Sequence, residues 1–471
     1  MISDSPLPIA VIGAGPVGLA AAAHLIARGL EPLVFERGTA VGAAIADWAH
    51  VRVFSPWRYN VDLAARALLE ANGWTAPAAD HLPTGGEILR DYLEPLAALP
   101  ALAPRLRLGA EVLAISRRDH SRLDSEGRND APFMVVWRDA SGQHRTLARA
   151  VIDASGTSTR PNPIGRDGLP VEGELENADR IAYGIPDVKQ AARNIYAGQR
   201  TLVIGAGHSA INVVLDLLDL QAEAPQTQVI WATRSGGINR LLGGGLNDQL
   251  PGRGHLGLAA ETAIRAGRVQ LLSPFSARRI TARNGGVEVE AAAESQPVTL
   301  QVDRIVVATG FRPDLSPLGE LRLSLDPAVE APRALAPLID PNLHSCGTVP
   351  PHGVDELSHP ETGFFIVGMK SYGRAPTFLM ATGYEQVRSI AAELAGDRVA
   401  ARQVELVLPE TGVCSGLPTV PDAAAGASAC CGGPATSAGA CCLRDEAAKA
   451  AGEVGCGCGA PTGKPREAAC C

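Results

Sequence analysis

The stretch PIAVIGAGPVGLAAAAHLIARGLEPLVFER, residues 8–37, constrains the fold more than any other. A β-branched run, Ile9–Ile12, leads into Gly13, Gly15 and Gly18 at G-x-G-x-x-G spacing. An apolar helical stretch follows, and a second apolar run, Leu33–Phe35, ends at Glu36 beside Arg37. Each glycine has its own reason. The first makes the tight strand-to-helix turn, the second lets backbone approach a pyrophosphate, and the third brings helix against strand, so that the helix N-terminus faces the phosphates. Glu36 ends the second strand, where a carboxylate accepts hydrogen bonds from a ribose. The stretch predicts a dinucleotide-binding unit.

The pattern recurs. In RTLVIGAGHSAINVVLDLLDL a strand over Thr201–Ile204 precedes Gly205, Gly207 and Ala210, with His208 and Ser209 opening the next helix. Its second strand, in TQVIWATRS, ends at Arg234 where the first unit has Glu36. A carboxylate repels a 2′-phosphate and a guanidinium pairs with one, so the first unit is expected to take FAD and the second NADPH. The plainer reading of Arg234 is a solvated surface arginine. VIDASG (151–156) and IVVATG (305–310) read as strands returning to each sheet. Their turns place Ser155, Gly156 and Gly310 near cofactor or at a domain crossover. The expected fold is α/β, with two Rossmann-like dinucleotide-binding domains and an FAD domain interrupted by an inserted NADPH domain. Expected limits are 1–164 and 305–412 for the first, 165–304 for the second, and a flexible Cys-rich tail over 413–471. Thr84 and Glu87 have capping-box spacing and predict a helix through TGGEILRDYLEPLAAL. GAEVLAIS places Val112 on a strand where its backbone can meet an adenine. LLGGGLNDQLPGRGHLG (241–257) reads as a surface loop whose glycines permit a lid.

A net charge of −8 leaves no basic footprint, which argues against nucleic acid as a partner. No apolar run approaches the ~18 residues a bilayer span needs. The expectation is a cytoplasmic protein with a small-molecule or metal(loid) substrate, and a homodimer is allowed for. Cysteine use is segregated: none precedes Cys346, Cys346 and Cys414 stand alone, and the rest crowd into the end. A disulfide framework would spread its cysteines through the part that needs stapling. Adjacent Cα atoms lie about 3.8 Å apart, short of the ~4.4–6.8 Å of unstrained disulfides, so bonding within a pair is strained. Cys430, Cys431, Cys441, Cys442, Cys456, Cys458, Cys470 and Cys471 therefore read as thiolate ligands for a soft metal(loid), at spacings unlike a zinc finger's. A redox or intersubunit thiol role and a low-complexity tail are the alternatives.

The paired Rossmann motifs, DASGTSTRPNP, ATGFRPD and Trp48 trailing Gly42 resemble the flavin-containing monooxygenase branch of two-dinucleotide-binding flavoproteins. More narrowly, DWAHVRVFSPWRYNVD, GHSAIN and GFFIVGMKSYGRAPTFL resemble the flavin monooxygenase-like proteins of bacterial arsenic-resistance operons, over roughly residues 6–415. Two departures matter. The Phe-x-Gly-x-x-x-His fingerprint of better-known monooxygenases should follow Pro163 and is missing. Disulfide-reductase relatives carry a Gly-Asp at the ribityl chain where this sequence has Gly368-Met369-Lys370. The resemblance implies that Gly368, Met369 and Lys370 lie by the flavin, where a lysine stabilises negative charge. The alternative is a lysine snorkelling to solvent. Trp48, His50, Arg52, Trp57, Arg58, Lys370 and Arg374 are the candidates for substrate chemistry. Three functions stay open: a monooxygenase acting on trivalent arsenic or a thiophilic substrate, an NADPH-driven reductase of a tail-bound ion or disulfide, and a metal(loid)-sequestering protein. A reductase of the usual kind would need a cysteine pair against the flavin; no cysteine precedes Cys346, so neither Rossmann unit contains such a pair.

Replacing Arg234 by Glu should weaken NADPH binding far more than NADH binding. Titration of both nucleotides checks this, and equal losses would show that Arg234 does not meet the 2′-phosphate.

Overall fold

The computed structural model describes residues 7–234, 250–283, 285–342, 349–375 and 378–406. The chain opens with β1 (Ile9–Ile12), the helix Pro16–Ala27 and β2 (Pro32–Glu36). After a helical excursion come β3 (Leu106–Leu108), an antiparallel meander of β4 (Glu111–Arg117), β5 (Phe133–Asp139) and β6 (Gly142–Ala148), and the returning strand β7 (Ala150–Asp153). A second unit repeats the scheme. After the short β8 (Ile181–Tyr183) it runs β9 (Arg200–Ile204), the helix His208–Glu223, β10 (Gln228–Ala232), a helix and β11 (Gln270–Leu272). Another meander, β12 (Phe275–Arg283), β13 (Gly286–Ala293) and β14 (Gln296–Val302), precedes the returning β15 (Arg304–Val307). The chain then goes back to the first unit with β16 (Phe364–Ile366).

Both main sheets are parallel and share one topology. The first is ordered β16-β7-β1-β2-β3 and the second β11-β10-β9-β15-β8. In each, the returning strand lies beside the first, as Ile12↔Asp153 and Ile204↔Val307 show. Buried on both faces, these strands are continuous apolar runs rather than alternating ones. One face of each sheet packs its Rossmann helix, and the other packs its meander.

The expectation of two Rossmann units, the first discontinuous, holds. Three details differ. The expected boundary at residue 305 falls inside β15, which belongs to the second sheet, so the chain crosses back only at residues 309–312. There the two connections run side by side: Asn162 N–H donates to Gly310 O and Arg312 N–H to Arg160 O, both at 2.9 Å, and the Asn162 amide donates to Thr309 O at 3.1 Å. The second difference is β10, which ends at Ala232, two residues before Arg234. The third is the stretch expected to be a loop. Pro251–Arg265 is a helix in spite of its glycines. A side chain at position 252 would meet Phe54 and Leu82 of the first unit, so tertiary contact overrides poor propensity. Residues 235–249, the rest of that stretch, lie outside the described residues. So do Cys346, Cys414 and every tail cysteine. Among the described residues no helix is long and apolar enough to cross a membrane.

The expected helix after Thr84 forms with its capping box: Glu87 N–H donates to Thr84 Oγ1 at 3.1 Å and Thr84 N–H to Glu87 Oε2 at 2.6 Å.

A buried ionic cluster ties the first meander to the edge of β16. Glu361 and Arg128 are fully buried, with Glu361 2.8 Å from Arg128 and 2.7 Å from Arg117. Burial alone would raise the Glu361 carboxyl, but the Arg322 N–H and the Arg117 and Arg128 guanidinia outweigh it and hold the group below its usual range. A depressed folded-state pKa stabilises the fold above the unfolded value, and that stabilisation fades as pH falls through the folded one. Glu361→Ala, which strands two buried guanidinia, should cost roughly 3–5 kcal/mol in chemical denaturation. Glu361→Gln should flatten the loss of stability on acidification below about pH 4.5, the ordinary glutamate value.

Candidate functional site

The first glycine turn is built by backbone contact. Gly13 has φ +96°, and a Cβ there would lie 2.8 Å from Ala154 O, at the carboxyl end of β7. A Cβ on Gly18 would lie 1.9 Å from Gly13 O. Gly15 is different: nothing lies within 4 Å of where its Cβ would be, and the same is true of Gly156. The cradle is thus sealed beneath and open above, at the carboxyl ends of parallel strands, where α/β sheets take ligands. Glu36, buried, borders it. Its carboxylate accepts from Ala14 N–H and Gly38 N–H, each at 2.7 Å. A carboxylate offers about four lone-pair sites, so capacity for ribose hydroxyls remains. Arg37 is exposed, and Val112 lies on β4 paired with Trp137.

The second turn repeats this geometry. A Cβ on Gly205 would meet Ala308 O at 2.3 Å, whereas Gly207 faces open space. Trp231 Nε1 donates to Gly205 O at 2.8 Å from beneath, a support that sequence reading missed because tryptophan in a strand looks like ordinary core. His208 and Ser209 begin the helix, and Arg234 is exposed just past β10. The His208 ring lies 5.0 Å from the Phe54 ring. The loop of the first unit therefore touches the phosphate end of the second. On these observations both turns fit a dinucleotide.

The candidates for chemistry occupy varied surroundings. Trp57 is a core residue, 2% exposed. Trp48 is half-buried against Gly85, whose Cβ would come 2.8 Å from the indole. Arg52 donates to Leu82 O, Arg58 pairs with Asp80, and Arg374 pairs with Glu330 at 2.9 Å. These three arginines are engaged by protein and partly open to solvent. Buried His50 Nε2 has no hydrogen-bond partner among the described residues.

Lys370 departs from the alternative reading given for it. It does not snorkel to solvent: its side chain is 3% exposed and its Nζ lies 2.7 Å from Asp153 Oδ2 and 3.0 Å from Ser155 Oγ. Gly368 packs on Val17 in the first turn of the Rossmann helix, and Met369 between them is half-buried. Behind this segment Gly368 N–H donates to Gln386 Oε1 at 2.7 Å, and Gln386 Nε2 lies 2.9 Å from both Ser371 Oγ and His352 Nε2. Burial holds His352 below its usual pKa, which suits a neutral ring accepting from Gln386 and donating from Nδ1 to Pro350 O at 3.0 Å. Among the described residues no group of three His, Cys, Asp or Glu is placed to hold a metal; the eight expected tail ligands lie outside them.

Residues 11–81 match the family model of a NAD(P)-binding Rossmann-like domain. The chain is 31% identical over 204 residues to a thiamine thiazole synthase of Pyrobaculum calidifontis, covering 38% of this chain and 74% of that one. It is 29% identical over 214 residues to the indole-3-pyruvate monooxygenase YUCCA1 of Oryza sativa subsp. japonica, covering 44% of each. A ferredoxin–NADP reductase of Lactococcus lactis is 27% identical over 207 residues, covering 44% of this chain and 50% of that one. Thus the chain spans about half or less of the length of the last two. Among solved structures, a bacillithiol disulfide reductase from Bacillus cereus superposes with TM-score 0.62 at 20% identity, over 83% of this chain and 99% of that one. An ornithine hydroxylase from Pseudomonas aeruginosa gives 0.55 at 18%, over 83% and 100%. At such identities the likeness establishes fold.

Gly15→Ala should leave thermal stability near wild type yet reduce bound flavin, because the methyl enters the open cradle. Gly18→Ala, which drives a methyl into backbone, should instead lower the melting temperature; absorbance at the flavin bands and a melting curve separate the two. The chain carries a NAD(P)-binding Rossmann-like domain within a fold of two Rossmann-like units.

Proposed function

We propose that this protein is an FAD- and NADPH-dependent oxidoreductase, monooxygenase-like in reaction, that oxidises trivalent arsenic or a related thiophilic substrate. The observation that carries the dinucleotide reading is the repeated turn: a glycine sealed against the returning strand, followed by one facing open space. FAD belongs at the turn bordered by Glu36, and NADPH at the turn followed by Arg234. Bound there, the two cofactors supply hydride transfer and activation of oxygen. The protein's own residues hold the phosphates at two helix N-termini, keep Glu36 aimed along the first cradle, and close the second with the Phe54 loop. His50, with its unpartnered buried nitrogen, is the polar group of the Trp48–Arg58 loop best suited to meet a substrate.

Oxygenation is preferred over thiol reduction because no cysteine precedes Cys346, so neither Rossmann unit supplies a redox pair. The reaction balances as one NADPH, one proton and one O₂ consumed per trivalent arsenic, with one oxygen atom ending on arsenic and the other in water. The tail serves capture: adjacent thiolates bind a soft ion, which itself displaces their protons. The substrate class rests on that thiol chemistry and on the sequence resemblance.

Arsenite should accelerate NADPH consumption in air and not under anaerobic conditions. Stimulation that persists without oxygen would replace this reading by reduction. Deleting residues 416–471 should abolish tight arsenite binding while FAD stays bound, as followed by equilibrium dialysis and absorbance.

A further inference from the structure

Asp153 and Lys370 form a buried ion pair at the ends of two neighbouring parts of the first sheet. Asp153 ends β7, and Lys370 lies four residues beyond β16, the parallel neighbour of β7. Each side chain is 3% exposed. Taking two charges out of water costs several kcal/mol per ion before their attraction is counted, and well-packed apolar residues of similar volume often replace such a pair at no loss of stability. The pair also stands where a ligand binds. The turn that carries Ser155 abuts Gly13, Ser155 itself is exposed toward the open side, and the segment that carries Lys370 packs on Val17 of the Rossmann helix.

The donors of Lys370 are unevenly used. An ammonium has three. One meets Asp153 Oδ2 at 2.7 Å and a second meets Ser155 Oγ at 3.0 Å. Asp153 Oδ1 is taken by Ser155, whose Oγ and N–H lie 2.6 Å and 3.1 Å away. The third Lys370 donor has no partner among the described residues. A carboxylate therefore fixes both the lysine and the serine at the rim of the cradle and leaves one proton over.

Resting on the FAD reading of this cradle, we infer that Asp153 and Lys370 are a cofactor-retention pair: Lys370 binds an oxygen acceptor on the flavin half of FAD, and Asp153 positions it. Lys370 is then a binding residue and Asp153 a positioning residue.

The test is release of FAD from full-length holoprotein on dilution, read by flavin fluorescence and set beside thermal unfolding. The double variant Asp153→Asn/Lys370→Met removes both charges without stranding either. It should unfold near the wild-type temperature and yet bind FAD roughly tenfold to a hundredfold more weakly, the loss of one hydrogen bond to a charged group. Lys370→Gln/Asp153→Asn keeps length and polarity and serves if the methionine form does not fold; it should lose affinity to a smaller degree. Lys370→Met alone strands Asp153 and should lower both readings. Wild-type FAD affinity in a folded double variant overturns the inference and makes the pair purely structural. A wild-type chain that takes up no FAD overturns instead the reading of the cradle itself.

Discussion

The first site depends on how closely β7 approaches the glycine turn after β1. Ala154 O occupies space that any side chain at position 13 would claim, and Gly13 O does the same at position 18. With both positions bare, the strand end, the turn and the helix N-terminus share one small volume, and N–H groups that would otherwise lack partners face outward together. The second unit reaches the same result with Gly205 against Ala308 O. Backbone touching backbone, more than any side chain, creates the two cradles.

One topology used twice leaves the side chains to tell the sites apart. At the end of β2 the acid is buried and pinned by two N–H groups, a setting hostile to an added phosphate. Two residues past the end of β10 the charge is reversed and exposed. Each sheet also carries a three-stranded meander on one face, so the Rossmann helix on the other face is left to shape the binding edge.

Much of this was legible in the chain. Turn glycines, the terminal Glu36, the returning strands and the Thr84 cap announce themselves because backbone geometry and periodicity restrict which residues are allowed there. What escaped was set by distance along the sequence or by tertiary contact. Asp153 and Lys370 are 217 positions apart, and the only hint was a carboxylate closing an apolar strand in VIDASG. The helix over Pro251–Arg265 was hidden by its glycines, one of which is there to admit Phe54. Trp57, a candidate for substrate chemistry in the sequence, donates its backbone N–H to His81 O and its ring joins the core. The cysteine clusters were conspicuous in sequence and fall outside the described residues.

The two connections between the units are stitched to each other, Pro161 opposite Phe311, with Thr309 Oγ1 donating to Asn162 O at 2.9 Å. Two independent tethers would let one half wander over the other in any direction. A ribbon of two bonded strands flexes readily across its flat side and resists sliding within its plane. Any reorientation of the two halves has to flex this ribbon, and Pro161 and Pro313 restrict the backbone on its two strands.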